Sequence, residues 1–182
     1  MRWNIKFETS FERSVMSKAK STITSEADTT TVCVKRNYAA GVEPTTAQRV
    51  WEIVSDFGGI RTIFPSLVRN LLTYPDATGT VIGMVRDMTF IIPNSSNPLS
   101  TSIEQLIQLD PESHRLTYIA VLGLPVTNYQ SAMEVTGDEA CTLTWTSTFK
   151  PNQDESGKAF AKILAGILTG GADQIATVLS LD

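Results

Sequence analysis

The stretch DESGKAFAKILAGILTGGADQIATVLSL, residues 154–181, decides the fold. Phe160, Ile163, Leu164, Ile167, Leu168, Ile175, Val178 and Leu179 recur at helical spacing, which predicts one long amphipathic helix from about Asp154 to Leu181. Gly170-Gly171 interrupts it, and each glycine costs about 1 kcal/mol against alanine. Such a pair implies close backbone approach or open room beside the helix. The chain before it reads as a meander. Candidate strands span 67–74, 80–92, 101–109, 115–122, 128–136 and 141–149, most of them separated by turn residues such as Tyr74-Pro75-Asp76-Ala77-Thr78-Gly79 and Gly137-Asp138-Glu139. A first strand begins near Thr31 and carries Val32, Val34 and Tyr38.

Between that strand and the meander, Pro44 and the Thr45/Gln48 capping box open a helix through Val50, Trp51, Ile53 and Val54, which Asp56-Phe57-Gly58-Gly59 ends. A short second helix or turn over Arg61–Phe64 is checked by Pro65. The layout is α+β, with a curved antiparallel sheet of about seven strands, two short helices and a long last helix. The concave face of such a sheet has to be covered, and the terminal helix is the element long enough to do it. A strongly curved sheet gripping one helix leaves a hydrophobic cavity between them.

Composition narrows the function. The chain has 182 residues, enough for one domain, and its formal net charge of −4 argues against a phosphate-binding basic face, so nucleic acid is not an expected partner. No apolar run reaches the length of a membrane-spanning helix, so membrane insertion is not expected. Cys33 and Cys141 are far apart and show no metal-ligand spacing; buried free thiols are the plain reading, and with them a reducing, cytoplasmic setting. The single histidine, His114, falls in the Asp110–Arg115 turn, a poor place for a catalytic base, and the chain holds no dinucleotide, P-loop or nucleophile-elbow motif. Neither cofactor nor metal is expected. Residues 1–30 read as a weakly ordered extension: seven of the eleven residues from Ser21 to Thr31 are Ser or Thr, although Trp3, Phe7, Phe11 and Val15 would share one face of a helix. The folded domain is expected over 31–182.

An ordered series of landmarks runs through that domain. Val50–Gly59 is followed by Gly79 and Gly83 before Arg86, then Glu104-Gln105-Leu106, Leu109-Asp110, Leu116-Thr117-Tyr118, Leu124-Pro125-Val126 with Tyr129, and Trp145 with Phe149. In this order they resemble the START-like helix-grip superfamily, in particular its polyketide cyclase/dehydrase-like branch. The resemblance implies the helix-grip fold with a hydrophobic cavity beneath the long helix. It does not by itself imply an activity, because the superfamily holds aromatic cyclases, lipid carriers, hormone receptors and alkaloid-forming enzymes.

Strand parity places side chains on that cavity. Met84, Arg86, Met88 and Phe90 share one face, with Arg86 its charged member. Tyr129, Ser131, Met133 and Val135 share another, and Leu143, Trp145, Ser147 and Phe149 a third. Ile119 and Val121 are expected inside, with Tyr118 on the other side. In strand 101–109 the apolar set Ile103, Ile107 and Leu109 would put Glu104 outside; the resemblance implies the reverse, since the matching glutamate of ligand-binding relatives such as the plant abscisic-acid receptors faces the cavity beside an arginine. We follow the resemblance and expect an Arg86–Glu104 pair. The lysine that anchors a carboxylate in those receptors matches about Phe64, and the polar residue of their last helix falls near Gly171. Phe64, Gly171 and Ile167 are therefore expected to border a more apolar, roomier cavity. The resemblance also places gating loops at Ile92–Leu99 and Gly123–Val126, which otherwise read as proline-stiffened hairpin loops.

Two functions share this pocket. In one, the protein is a cofactor-free cyclase or dehydratase acting on a polyketide- or terpenoid-type intermediate. Glu104 is then acid or base, Tyr129 a proton or hydrogen-bond donor, and Arg86 the group that stabilises an enolate-like oxygen. In the other it is a non-catalytic binder, carrier or receptor of a hydrophobic small molecule. The expected partner is that small molecule, the protein being a monomer or homodimer.

Overall fold

The computed structural model describes residues 18–40, 46–79, 81–91 and 99–180. It contains an antiparallel sheet with β1 (Lys20–Glu26), β2 (Thr29–Tyr38), β3 (Val68–Tyr74), β4 (Val85–Ile91), β5 (Leu99–Asp110), β6 (Arg115–Leu122), β7 (Val126–Gly137) and β8 (Cys141–Pro151). Their order across the sheet is β1-β2-β8-β7-β6-β5-β4-β3. The helices are α1 (Thr46–Ser55), α2 (Ile60–Ile63) and α3 (Glu155–Leu179), with a 3-10 turn at Phe57–Gly59. Asp56 closes that turn by accepting the Gly59 N–H at 2.9 Å.

The sheet has one strand more than expected. The Ser/Thr-rich segment assigned to a weakly ordered extension forms β1 and the turn into β2, with Lys20 to Glu26 paired against Lys35 to Thr29. Ser and Thr suit an exposed edge strand, and every residue of β1 is exposed. Composition marked this segment as having little to bury, which is true, but backbone pairing to β2 needs no burial. The Trp3–Val15 pattern, Thr45 of the capping box and the loop at 92–98 lie outside the described residues.

Alternation of residues fills the concave face. Val32 and Val34 from β2, Leu143, Trp145 and Phe149 from β8, Met133 and Val135 from β7 and Leu116 from β6 form the core with α1 and α3. Asp154 caps α3 by accepting the Gly157 N–H at 2.8 Å. The helix then packs on β2, β1 and β8 and against α2. It thus covers one half of the concave face. Among the described residues α3 does not pack as closely on β4, β5 and β6, and there the cavity opens.

Gly171 makes the crossing possible, but not by leaving space. A Cβ at this position would lie 2.6 Å from the Phe64 ring carbons, so the ring already occupies the volume a side chain would need. The expected roomier cavity at Phe64 and Gly171 is corrected accordingly: the pair is one packed joint between α2 and α3. Tyr38 supports the helix nearby by donating its hydroxyl to the Ala172 carbonyl at 2.9 Å. Cys141 is buried, and burial pushes its thiol up to about 11, so it stays protonated.

Candidate functional site

Arg86 and Glu104 are direct cross-strand partners on β4 and β5. The guanidinium donates to Glu104 Oε2 twice, from Nε at 2.8 Å and from Nη2 at 2.6 Å, and its Nη1 donates to the Phe57 carbonyl at 3.0 Å. The side chains are only 5% and 9% exposed. The Phe57 ring lies 3.9 Å from the guanidinium carbon and the Tyr118 ring 4.9 Å from it. A buried charge needs this degree of pairing, since either ion alone would cost several kcal/mol. Among the described residues the other carboxylate oxygen, Oε1, takes only a long 3.4 Å hydrogen bond from the Ser102 hydroxyl.

A chain of hydroxyls lies beside the pair. Tyr129 Oη is 3.1 Å from Ser147 Oγ, which is 2.9 Å from Ser131 Oγ. Trp145 Nε1 donates to Ser131 Oγ at 3.0 Å and to Tyr118 Oη at 3.3 Å. Burial raises the Tyr129 phenol well above its usual range, and the neighbouring Tyr118 and Glu104 raise it further. Tyr118 is raised first by burial and then by Glu104. Both phenols therefore remain protonated near neutral pH.

The cavity beneath α3 has a volume of about 260 Å³, near the lower end of ligand pockets. Phe64, Arg86, Met88, Phe90, Glu104, Tyr129, Trp145 and Ile167 line it. Ile60, Tyr118, Leu124, Pro125, Ala159, Phe160, Ile163, Leu164 and Leu168 complete the wall. Leu124, Pro125, Ala159 and Ile163 are its more exposed members and mark the mouth.

Seven residues expected at the cavity stand elsewhere. Val121 is 58% exposed because it is the extra residue of a bulge, where Ile103 pairs with Leu122 and Glu104 with Ala120. Ile119 faces away from the cavity, and Tyr118, expected outside, is buried against it. Ser102, Glu104 and Leu106 alternate regularly inward, and a second bulge between Leu106 and Gln108 then expels Ile107 and breaks the parity of β5, so Ile103 and Leu109 do not share a face; this is why the apolar parity set 103/107/109 misleads. Met84 precedes β4, so strand parity does not reach it; it lines a separate hollow with Trp51, Ser55 and Phe57. Ser131 and Ser147 are buried behind the wall as partners of Tyr129 and Trp145, Met133 belongs to the solid core, and Gly171 is covered by Phe64. The sequence did signal the missed helix residues Phe160, Ile163, Leu164 and Leu168, all on the apolar stripe of α3. Which part of the stripe meets the cavity depends on how the helix crosses the sheet.

His114 takes a left-handed conformation in the β5–β6 turn and stacks on Trp51 at 5.3 Å, away from the cavity. Among the described residues no group of His, Cys, Asp and Glu is arranged to hold a metal ion, and no helix is long and apolar enough to cross a membrane.

Comparison with solved structures gives the same fold. Norcoclaurine synthase from Thalictrum flavum is 24% identical, with 83% of this chain and 86% of that one covered and a TM-score of 0.62. The protein XoxI from Bacillus cereus is 18% identical over 81% and 94%, with a TM-score of 0.58. An uncharacterised protein from Bacillus thuringiensis is 20% identical over 84% and 99%, with a TM-score of 0.59. No curated protein sequence matches the chain. The family model described as polyketide cyclase/dehydrase and lipid transport matches residues 42–180, from before α1 through the whole of α3. The chain belongs to that family.

Proposed function

We propose that this protein binds a small hydrophobic molecule of polyketide or terpenoid type in the cavity under α3, holding one polar group of the ligand against Arg86, Glu104 and Tyr129. The observation that carries the reading is the wall itself: an apolar lining broken at one place by a buried ion pair and two phenols. Small-molecule sites have this composition, with apolar contact for affinity and a few convergent polar groups for orientation. The family description supports the same ligand class. A cytoplasmic location belongs to the reading and is supported by the free thiols.

A second reading, catalysis of cyclisation or dehydration without a cofactor, is favoured by one observation. Among the described residues Glu104 Oε1 is held only by the 3.4 Å contact from Ser102, which leaves it able to take a proton from a ligand at the cavity wall. Once Glu104 has taken that proton the charge of Arg86 is no longer matched and would stabilise the developing oxyanion, while Tyr129 would hydrogen-bond the ligand through its Oη.

The binding reading is tested with a neutral fluorescent apolar probe, N-phenyl-1-naphthylamine. Uptake of about one equivalent is expected, and Ile163→Trp, at the half-exposed mouth, should reduce it without unfolding the protein. No uptake by the wild type would overturn the reading. For catalysis, Glu104→Gln and Tyr129→Phe should slow turnover of a cyclisation precursor while binding is retained, and unchanged turnover in both would remove these assignments.

A further inference from the structure

The charge of the polar corner determines which functional group it accepts. The positive charge of Arg86 is already matched by Glu104, with both hydrogen bonds going to one oxygen, and the faces of the guanidinium are covered by Phe57 and Tyr118. The corner is therefore neutral as it stands. Among the described residues lining the cavity, Arg86 and Glu104 are the only charged ones. A ligand carboxylate would enter as a second anion beside Glu104, with no free cation among the described lining residues to meet it. An ammonium would meet the mirror problem at Arg86.

The hydrogen-bonding pattern points the same way. At the inner end of the hydroxyl chain the Thr146 carbonyl can only accept, and it lies 3.4 Å from Ser131 Oγ. The Trp145 N–H can only donate, and it too meets Ser131. The direction that gives each of the three hydroxyl protons of Tyr129, Ser147 and Ser131 an acceptor runs from Tyr129 to Ser147, from Ser147 to Ser131, and from Ser131 to the Thr146 carbonyl. Tyr129 Oη is then left with open acceptor capacity. Glu104 Oε1 offers a second open acceptor.

Resting on the binding function proposed above, we infer that the cavity selects an uncharged ligand carrying a hydroxyl, a phenol or alcohol, and discriminates against the carboxylic acid of the same skeleton. The hydroxyl donates to Glu104 Oε1 or Tyr129 Oη, and its apolar body fills the space between Met88, Trp145 and α3.

Isothermal titration calorimetry near neutral pH with 2-naphthol, 2-naphthoate and naphthalene tests this on the wild-type protein. Naphthol should bind at least roughly tenfold more tightly than naphthoate, because the acid brings an uncompensated charge into a buried site. Equal affinities, or tighter binding of the acid, would overturn the inference while leaving the cavity function standing. Failure of all three compounds, together with failure of N-phenyl-1-naphthylamine to enter, would overturn both. Glu104→Gln leaves Arg86 as an unmatched cation, so naphthoate should gain and the preference should invert. Should that variant not fold, Tyr129→Phe remains informative: it removes one acceptor and should weaken naphthol a few-fold while leaving naphthoate unmoved. A Tyr129→Phe protein that weakens both ligands equally would count against the assigned hydrogen-bond direction.

Discussion

Two arginines are buried on the concave face of the same sheet, and they do different things. Arg36, on β2, is clamped by Asp173 of α3, which also accepts the Ala19 N–H, so the pair ties β2, the start of β1 and the helix together. Arg86, on β4, is clamped by the neighbouring strand and lines an open cavity. Residue type and burial are the same. What differs is the partner's surroundings: Asp173 is 38% exposed, so water shares its charge, whereas Glu104 is buried with Arg86. A buried arginine on this sheet therefore signals a site only where the helix leaves space above it. Where α3 sits directly on the strand, the same side chain is a fastener.

The sharpest break of this comparison is at Glu104. Arg86→Met leaves a buried carboxylate unpaired and should cost about 3–5 kcal/mol in urea unfolding. The double variant Arg86→Met/Glu104→Leu, which removes both charges, should recover most of that loss. A double variant as unstable as the single one would mean that the pair is needed for folding rather than for the site.

At the other arginine the two single variants should be unequal. Asp173→Ala strands a buried guanidinium and should cost roughly 2 kcal/mol. Arg36→Met leaves a carboxylate that water can solvate, and the ion pair it removes is worth about 1 kcal/mol or less. The buried Arg36 Nε already lacks a hydrogen-bond partner, which further limits what this pair contributes. Equal costs would remove the distinction between clamp and site wall drawn from exposure.

Gly171→Ala should cost about 1–3 kcal/mol through its clash with Phe64. Phe64→Leu in the same protein should relieve part of it, and additive losses would show that the two do not share one volume.

The smallest effect concerns the phenols. Tyr129→Phe removes one hydroxyl from the buried chain and should cost about 1 kcal/mol. Burial raises Tyr129, Tyr118 and Tyr38 in the folded protein, whereas in the unfolded chain a tyrosine ionises near 10.0. The folded state thus holds protons that the unfolded state gives up, and stability is complete below pH 10 and falls as pH rises beyond it. Urea midpoints between pH 8 and 11 should show this decline, and Tyr129→Phe should make it shallower. An unchanged slope in the variant would mean that Tyr129 is not held protonated by burial.

Much of the candidate site was legible in the sequence for a simple reason. Met88, Phe90 and Trp145 sit in regular stretches of strand, where alternation alone assigns a face, and Tyr129 keeps the parity of Ser131, Met133 and Val135 although β7 is irregular between Thr127 and Gln130. Arg36 was legible by the same logic, as the charged member of the Val32, Val34, Tyr38 set, and reading it would have shown that a charge in an apolar parity set marks burial rather than function. Tyr118 and Ile119 were misread because β6 is apolar on both faces, so hydrophobicity does not choose between them, and Val121 was misread because it is the extra residue of a bulge, which depends on neighbouring strands as well as on the residues in it. The resemblance, rather than the hydrophobic pattern, put Glu104 on the correct face.

The sequence by itself determined the elements and their sidedness: the strand rhythm, the long helix and its apolar stripe, because periods of 2 and 3.6 are local properties of the chain. Only the tertiary structure decided where along that stripe the helix leaves the sheet uncovered, that Phe64 fills the notch at Gly171, and that Glu104 meets Arg86. Those outcomes depend on crossing geometry and register, which arise when distant segments pack against one another.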